Sequence, residues 1–279
     1  SEPASVAAAA AEVVRTAAPG FKPVLGMVLG SGLGGLADIL TDRVNIPYSD
    51  LPGFPVSSVS GHAGQLVLGN LGDVPVACYQ GRVHLYEGNP PQTLRVPTYT
   101  LKLIGCDGML TTSAVGSLRE DVGPGEIVAV TDHINMQGIN PLVGPNDPIG
   151  DRFVSMVDAY DPVMRASLHK SADKLGIPLH DSVLCAWLGP CFETPAEIRA
   201  SRILGADIVG MSGVVEVTCA RHAGLRVASM SVVVNLAAGM TGEQLTHDET
   251  LHFSNLASGN LIKLATDFAG SHEEWAVEE

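Results

Sequence analysis

Val24-Leu25-Gly26-Met27-Val28-Leu29-Gly30-Ser31-Gly32-Leu33-Gly34-Gly35 is the stretch on which the fold assignment turns. Its first six residues form a short apolar run suited to a buried strand, and Leu33–Leu40 has the pattern to open a helix. Between them Gly30, Gly32 and Gly35 match the dinucleotide-binding fingerprint. That fingerprint calls for a second strand about twenty residues on, ending in an acidic residue that holds a ribose. What stands there instead is Tyr48-Ser49-Asp50-Leu51-Pro52-Gly53-Phe54-Pro55, a turn-rich loop where no buried strand fits. Nicotinamide binding is therefore disfavoured. The general property survives: glycines let backbone N–H groups approach an anion, and Ser31 adds a hydroxyl.

Outward from this point, strands and helices alternate. Gln65–Gly69 and Val74–Tyr79 read as strands joined at Gly72-Asp73, followed by a helix over Gln92–Cys106 and a strand over Gly108–Thr112. Glu126–Thr131 is a further strand. From Asp132 to about Arg152 the chain carries Gly and Pro without periodicity, which inside a compact domain marks a functional or interface loop with Phe153 at its exit. Asp161–Leu175 is predicted helical and Ser182–Leu188 a strand. Thr194-Pro195-Ala196-Glu197 has the N-cap, N1 proline and N3 glutamate of a helix start. Ala206–Val209, a helix through Arg221, the long apolar strand Leu225–Asn235 and a closing helix over Thr246–Phe268 complete an α/β fold with a mixed central sheet. With no repeat, linker or composition shift, residues 1–279 read as one domain, with a peripheral helix in residues 1–20.

The cassette Gln80-Gly81-Arg82-Val83-His84-Leu85-Tyr86-Glu87-Gly88 carries the most chemistry. Taken as an extended strand, it sets Arg82, His84 and Tyr86 on one face and Val83 and Leu85 on the other. A guanidinium beside an imidazole suits a phosphate or carboxylate. Glu87 is placed to orient His84, and Gly88-Asn89-Pro90-Pro91 ends the run.

Sixteen Lys+Arg against thirty Asp+Glu give a net charge of −14, which argues against nucleic acid as a partner. A bound anion must then be held by local donors, because the overall field repels it. Charged residues make up only 16%, which points to a surface partly covered by other subunits. Cys78, Cys106, Cys185, Cys191 and Cys219 are odd in number, scattered and without a CxxC pair, as expected of reduced thiols in a cytoplasmic protein. No run of about eighteen apolar residues occurs, so no membrane partner is expected.

Several apparent motifs fail. Gly210-Met211-Ser212-Gly213 is one residue short of the hydrolase elbow, and His247 and His252 are spaced by five rather than the four a zinc helix needs. Cys191 reads as a small buried thiol, and His133 and His222 as structural. What remains divides by chemistry. Ser31, His62, Arg82, His84, Ser212 and the backbone N–H near Ala114 are anion donors. Glu193 is a single acceptor and Asn235 a single amide, with Phe192 offering a face for stacking. A carboxylate accepts from a purine N1–H and an amide donates to O6 or N7, so the set suits phosphate at one end and a 6-oxopurine at the other.

Here the sequence resembles the trimeric purine nucleoside phosphorylases from about Phe21 to Phe268. The likeness is carried by Gly30–Gly34, Gly81–Gly88, Asp132-His133-Ile134-Asn135, Gly144-Pro145-Asn146-Asp147, Gly189–Pro195 and Val209–Ser212, with Asn235 and His247. It implies the nucleoside phosphorylase fold, a central, partly barrel-like sheet flanked by helices. It implies reversible phosphorolysis of inosine and guanosine, or their deoxy forms, in purine salvage, with inorganic phosphate as co-substrate and no metal or other cofactor. Ser31, Arg82, His84, Ser212 and the Ala114 amide would hold phosphate, with His62 close by. Tyr86, Met211 and His247 would face the ribose, joined by Phe153 from a neighbouring subunit of a homotrimer. Phe192, Glu193, Val209, Gly210 and Asn235 would enclose the base, with Asn235, Glu193 and His84 as the catalytic set. Ser113 and Val234 depart from the family pattern, where Asn and Thr occur. Relatives acting on methylthioadenosine carry Ser and Asp at the base-contacting positions, so Glu193 and Asn235 favour hypoxanthine and guanine over adenine. The rival outside catalysis is a nucleoside-binding protein.

Overall fold

The structure, a computed structural model, describes residues 2–60 and 63–276. Its frame is a nine-stranded sheet in the order β2 (Thr41–Pro47), β3 (Gln65–Leu71), β4 (Val74–Gln80), β1 (Leu25–Leu29), β5 (Gly108–Ser117), β8 (Ile208–Gly210), β7 (Leu179–Ala186), β6 (Ile127–Asn135) and β9 (Arg226–Leu236), and β9 pairs back onto β5. Strands β5, β8, β7, β6 and β9 therefore close on themselves as a five-stranded barrel. On the open side, β1 lies parallel between β4 and β5. The mixed, partly barrel-like sheet expected from the sequence is what forms.

Burial explains the apolar runs. All five residues of β1 are buried, with Leu25, Met27 and Leu29 in one core cluster and Val28 in another on the opposite face. The first cluster receives Leu261, Leu264 and Phe268 of α7 (His247–Gly270) and Met164 and Leu168 of α4 (Pro162–Leu175). The second receives Tyr99 and Leu101 of α3 (Arg95–Leu103) and Val217 and Ala220 of α6 (Val214–His222). The alanine-rich start is α1 (Pro3–Ala17), which sets Ala7, Ala10, Ala11 and Val14 against this second cluster. Trp275 of α8 (His272–Trp275) is fully buried and stacks on Phe268.

Helix starts follow their caps. Thr194 Oγ1 accepts from Glu197 N at 3.1 Å and Glu197 Oε1 from Thr194 N at 2.9 Å, opening α5 (Pro195–Ile203). Thr246 and Glu249 repeat the arrangement at α7. Each cap contributes about 1 kcal/mol.

Several elements differ from the sequence reading, among them β6, which runs on to Asn135 rather than ending at Thr131. β2 is an edge strand, antiparallel to β3, with five of its seven residues exposed. Only its inward Val44 and Ile46 carry an apolar signal, so pattern alone does not announce it. Its place at the edge, remote from β1, also confirms that no dinucleotide-binding βαβ unit follows the glycines after β1. The helix expected at Leu33–Leu40 shrinks to α2 (Gly35–Asp38).

Candidate active site

The C-terminal ends of β1, β4, β5, β8 and β9 open into one cavity of about 340 Å³. Its walls include Ser31, Arg82, His84, Ala114 and Ser212 together with Phe192, Glu193, Val209, Gly210 and Asn235. Tyr86, Met211 and His247 line it as well. The sequence candidates thus converge, with two exceptions. His62 lies outside the described residues. Phe153 is 91% exposed and outside the cavity wall.

The Arg82 cassette is not the strand its alternation suggested. β4 stops at Gln80 because Gly81 adopts φ +112°, where a side chain would be strained. Residues 81–84 are irregular, and Leu85–Glu87 form a short 3₁₀ turn closed by Gly88 in the left-handed region. The turn is held from within. Glu87 Oε2 accepts from His84 N at 2.6 Å and lies 3.3 Å from His84 Nδ1, while Glu87 Oε1 accepts from Ser58 N at 2.6 Å. Tyr86 then stacks on His84, with ring centroids 4.7 Å apart, rather than standing beside it on a pleat.

Arg82 is 4% exposed and is held in place by contacts at NH1 and Nε. Its NH1 donates to Thr112 O at 2.7 Å and to Ser212 Oγ at 3.0 Å, and Nε pairs with Glu216 Oε1 at 2.9 Å. Burial, and then the Arg82 charge, hold the His84 pKa below its ordinary value, outweighing the nearby carboxylates. His84 is therefore neutral at neutral pH. With Nδ1 facing the Glu87 carboxylate, the ring proton sits on Nδ1 and Nε2 is the acceptor nitrogen. Burial pushes Glu87 up, but hydrogen bonds from His84 and Ser58 reverse this and keep it ionised. Burial raises the Tyr86 phenol to about 12.

At the other end, Asn235 owes its place to a bulge. β5 and β9 pair in register as far as Val115↔Val233, after which Gly116 faces Asn235. Val234 is the extra residue, so Val234 and Asn235, adjacent in sequence, both reach the cavity wall. A regular strand would have sent one of them to the opposite face. Asn235 fits because Gly116 has no side chain: a Cβ there would lie 2.8 Å from Asn235 Oδ1 and 3.3 Å from Val209 Cγ2. We expect Gly116→Ala to lower kcat/KM by about 10- to 100-fold at a stability cost of about 1–3 kcal/mol, read by steady-state kinetics and denaturant unfolding. Unchanged kinetics would show that the Asn235 position is not critical.

Glu193, 8% exposed, is reached by the loop between β7 and α5. Burial, reinforced by the charge of Glu197, raises its pKa above the usual glutamate value. Cys191 on the same loop is exposed, not the buried thiol expected, because the loop turns Phe192 and Glu193 to the cavity and leaves Cys191 outside its wall. His133 and His222 are structural as read, bonded to Tyr160 and Tyr99 hydroxyls at 2.9 and 2.6 Å. Sequence reasoning missed Glu216, Val59, Ser60, Leu245 and Thr250. The last four line the cavity from loops and a helix start with no motif of their own. Among the described residues no group of three or more His, Cys, Asp or Glu could hold a metal ion.

The sequence model of the Phosphorylase superfamily matches residues 24–269. Purine nucleoside phosphorylase 1 of Bacillus subtilis is 43% identical over 252 residues, covering 90% of this chain and 93% of its own. The Bos taurus purine nucleoside phosphorylase is 43% identical over 220 residues, covering 77% of this chain and 76% of its own. A crystal structure of Schistosoma mansoni purine nucleoside phosphorylase in complex with inosine superposes with a TM-score of 0.90 at 32% identity, covering 99% of this chain and 98% of that one. A match over most of the length, joined to a cavity where the family's motifs meet, makes this chain a member of the purine nucleoside phosphorylases, pentosyltransferases within the phosphorylase superfamily.

Proposed function

We propose that the chain catalyses reversible phosphorolysis of 6-oxopurine ribo- and deoxyribonucleosides, inosine and guanosine among them, to the base and pentose 1-phosphate. The observation that carries this reading is the polarity of one cavity, with the Arg82–His84–Ser212 cluster and the Glu193 and Asn235 pair in a single wall. Phosphate sits with Ser31, Arg82, His84, Ser212 and the Ala114 amide. Neutral His84 accepts a hydrogen bond at Nε2 from the P–OH of monohydrogen phosphate, which keeps its proton, and Arg82 neutralises the oxygens. The glycosidic bond breaks towards the purine, which keeps the electron pair, while a phosphate oxygen bonds to C1′. Proximity and charge complementarity to the cation-like ribosyl group lower the barrier.

Asn235 donates to N7, where negative charge gathers, and Glu193 accepts N1–H. Phe192, Val209 and Gly210 enclose the base, and Tyr86, Met211 and His247 the pentose. No metal or organic cofactor is needed, because these groups meet the charge at both ends. Phe153, on a long loop with an exposed ring, completes the ribose pocket of a neighbour in a homotrimer. The cytoplasm, where thiols stay reduced, is the compartment we assign. Among the described residues no helix is long and apolar enough to cross a membrane.

Product analysis with inosine, adenosine and methylthioadenosine, with and without phosphate, tests the reading. Hypoxanthine and ribose 1-phosphate should form from inosine only with phosphate. Turnover of adenosine and methylthioadenosine alone would overturn the 6-oxopurine assignment, and purine binding without turnover would overturn catalysis.

The raised Glu193 pKa sets an acid limb. As pH falls, Glu193 protonates at a higher pH than an exposed glutamate and loses its acceptor for N1–H. We expect kcat/KM for inosine to fall about tenfold per pH unit below that pKa, and the limb to vanish in Glu193→Gln. A limb retained in that variant would assign it to another group.

A further inference from the structure

We propose that Glu216, a positioning residue outside the cavity wall, limits how tightly the site holds phosphate by sharing Arg82 with it. This rests on the phosphorolysis reading above. Arg82 Nε and Glu216 Oε1 are 2.9 Å apart, with side chains 2% and 16% exposed. Glu216 is itself fixed, because its Oε2 accepts from Gly213 N at 3.1 Å and so caps α6, the helix that Ser212 leads into. Behind the pair lies a second cavity of about 50 Å³, walled in part by Phe54, Val83, Leu94 and Val215, with Arg82 and Glu216 on its rim. Apolar walls keep the local dielectric low and the charges strongly felt.

One guanidinium thus faces two anions, a resident carboxylate on its Nε side and an oxyanion in the substrate cavity. The resident does two things. It fixes the plane of the guanidinium, so that NH1 stays on Thr112 O and Ser212 Oγ. It also cancels most of the Arg82 charge before phosphate arrives. An uncompensated arginine beside the start of α6 would hold both phosphate and pentose 1-phosphate tightly, and slow departure of the product would then limit turnover. Glu216 trades affinity for release.

The test is Glu216→Gln, which keeps the side chain's size and an oxygen beside Arg82 while the charge is gone. Initial rates with inosine at varied phosphate, and phosphate titrated calorimetrically, are compared with the wild type, with folding checked by circular dichroism. The phosphate KM and Kd should fall about five- to tenfold, and kcat should fall with a burst of hypoxanthine in the first turnover. An unchanged or raised phosphate KM in a folded variant overturns the proposal. Should Glu216→Gln not fold, Glu216→Asp keeps the charge on a shorter arm. Its phosphate KM should rise several-fold, since orientation is lost without gain of positive charge, and a wild-type KM there overturns the proposal equally. Phosphate-independent release of base by the wild type would instead defeat the phosphorolysis reading itself.

Discussion

Asn235→Ala should lower kcat by about 10²- to 10³-fold, or about 3–4 kcal/mol of transition-state stabilisation, while the phosphate KM moves less than about threefold. The asymmetry follows from position. Asn235 stands at the end of β9, against Gly116 and Val209, and shares the cavity wall with the apolar Val115, Val234 and Ala237. Its amide is thus set in apolar surroundings, where a hydrogen bond to developing charge is worth more than in water. Val234 beside it cannot substitute as a donor. Because the purine carries little negative charge before the bond breaks, the interaction strengthens only as the reaction proceeds. Loss then appears in kcat rather than in ground-state binding. Steady-state kinetics with inosine and varied phosphate separate the two. Loss of phosphate affinity with kcat intact would place Asn235 at the wrong end of the site. Asn235→Asp sharpens the test, since it keeps the shape but sets a carboxylate against N7, and should be no better than Ala.

Arg82→Ala should raise the phosphate KM by about 10²- to 10³-fold and also destabilise the fold by about 3–5 kcal/mol. Both effects come from the same geometry. The guanidinium bonds Thr112 O and Ser212 Oγ on one side and Glu216 on the other, so truncation leaves a largely buried carboxylate without its counter-ion. Removing one partner of such a pair costs more than the pair contributes, because the survivor stays desolvated. Arg82→Lys should recover part of the stability but little of the phosphate affinity, since an ammonium cannot reach three partners from one plane. Denaturant unfolding and phosphate-dependent initial rates measure the two effects. A phosphate KM near wild type would remove Arg82 from the anion site.

The succession of strands, and the chemistry at their ends, is legible in the residues alone. Apolar runs at Val24–Leu29 and Leu225–Asn235 show themselves because strands buried on both faces need no alternation, and the caps at Thr194 and Thr246 declare themselves through local hydrogen-bonding chemistry. Arg82, His84, Glu193 and Asn235 stand out because a charged or amide group at the end of an apolar strand is costly to bury unless it meets a partner or a ligand. Folding settled the features whose cause lies far away in the chain. The exposed β2 shows itself only once β3 offers an edge to pair with. The irregular backbone of residues 81–84 depends on Ser58 fixing Glu87 from another loop. Val234 and Asn235 face the same way only through a bulge against β5. Glu216 became visible when folding brought it to Arg82, 134 positions earlier in the chain. Local pattern encodes burial and backbone preference over a few residues. It carries no record of which distant group will share a hydrogen bond or a charge, and that pairing is what completes the site.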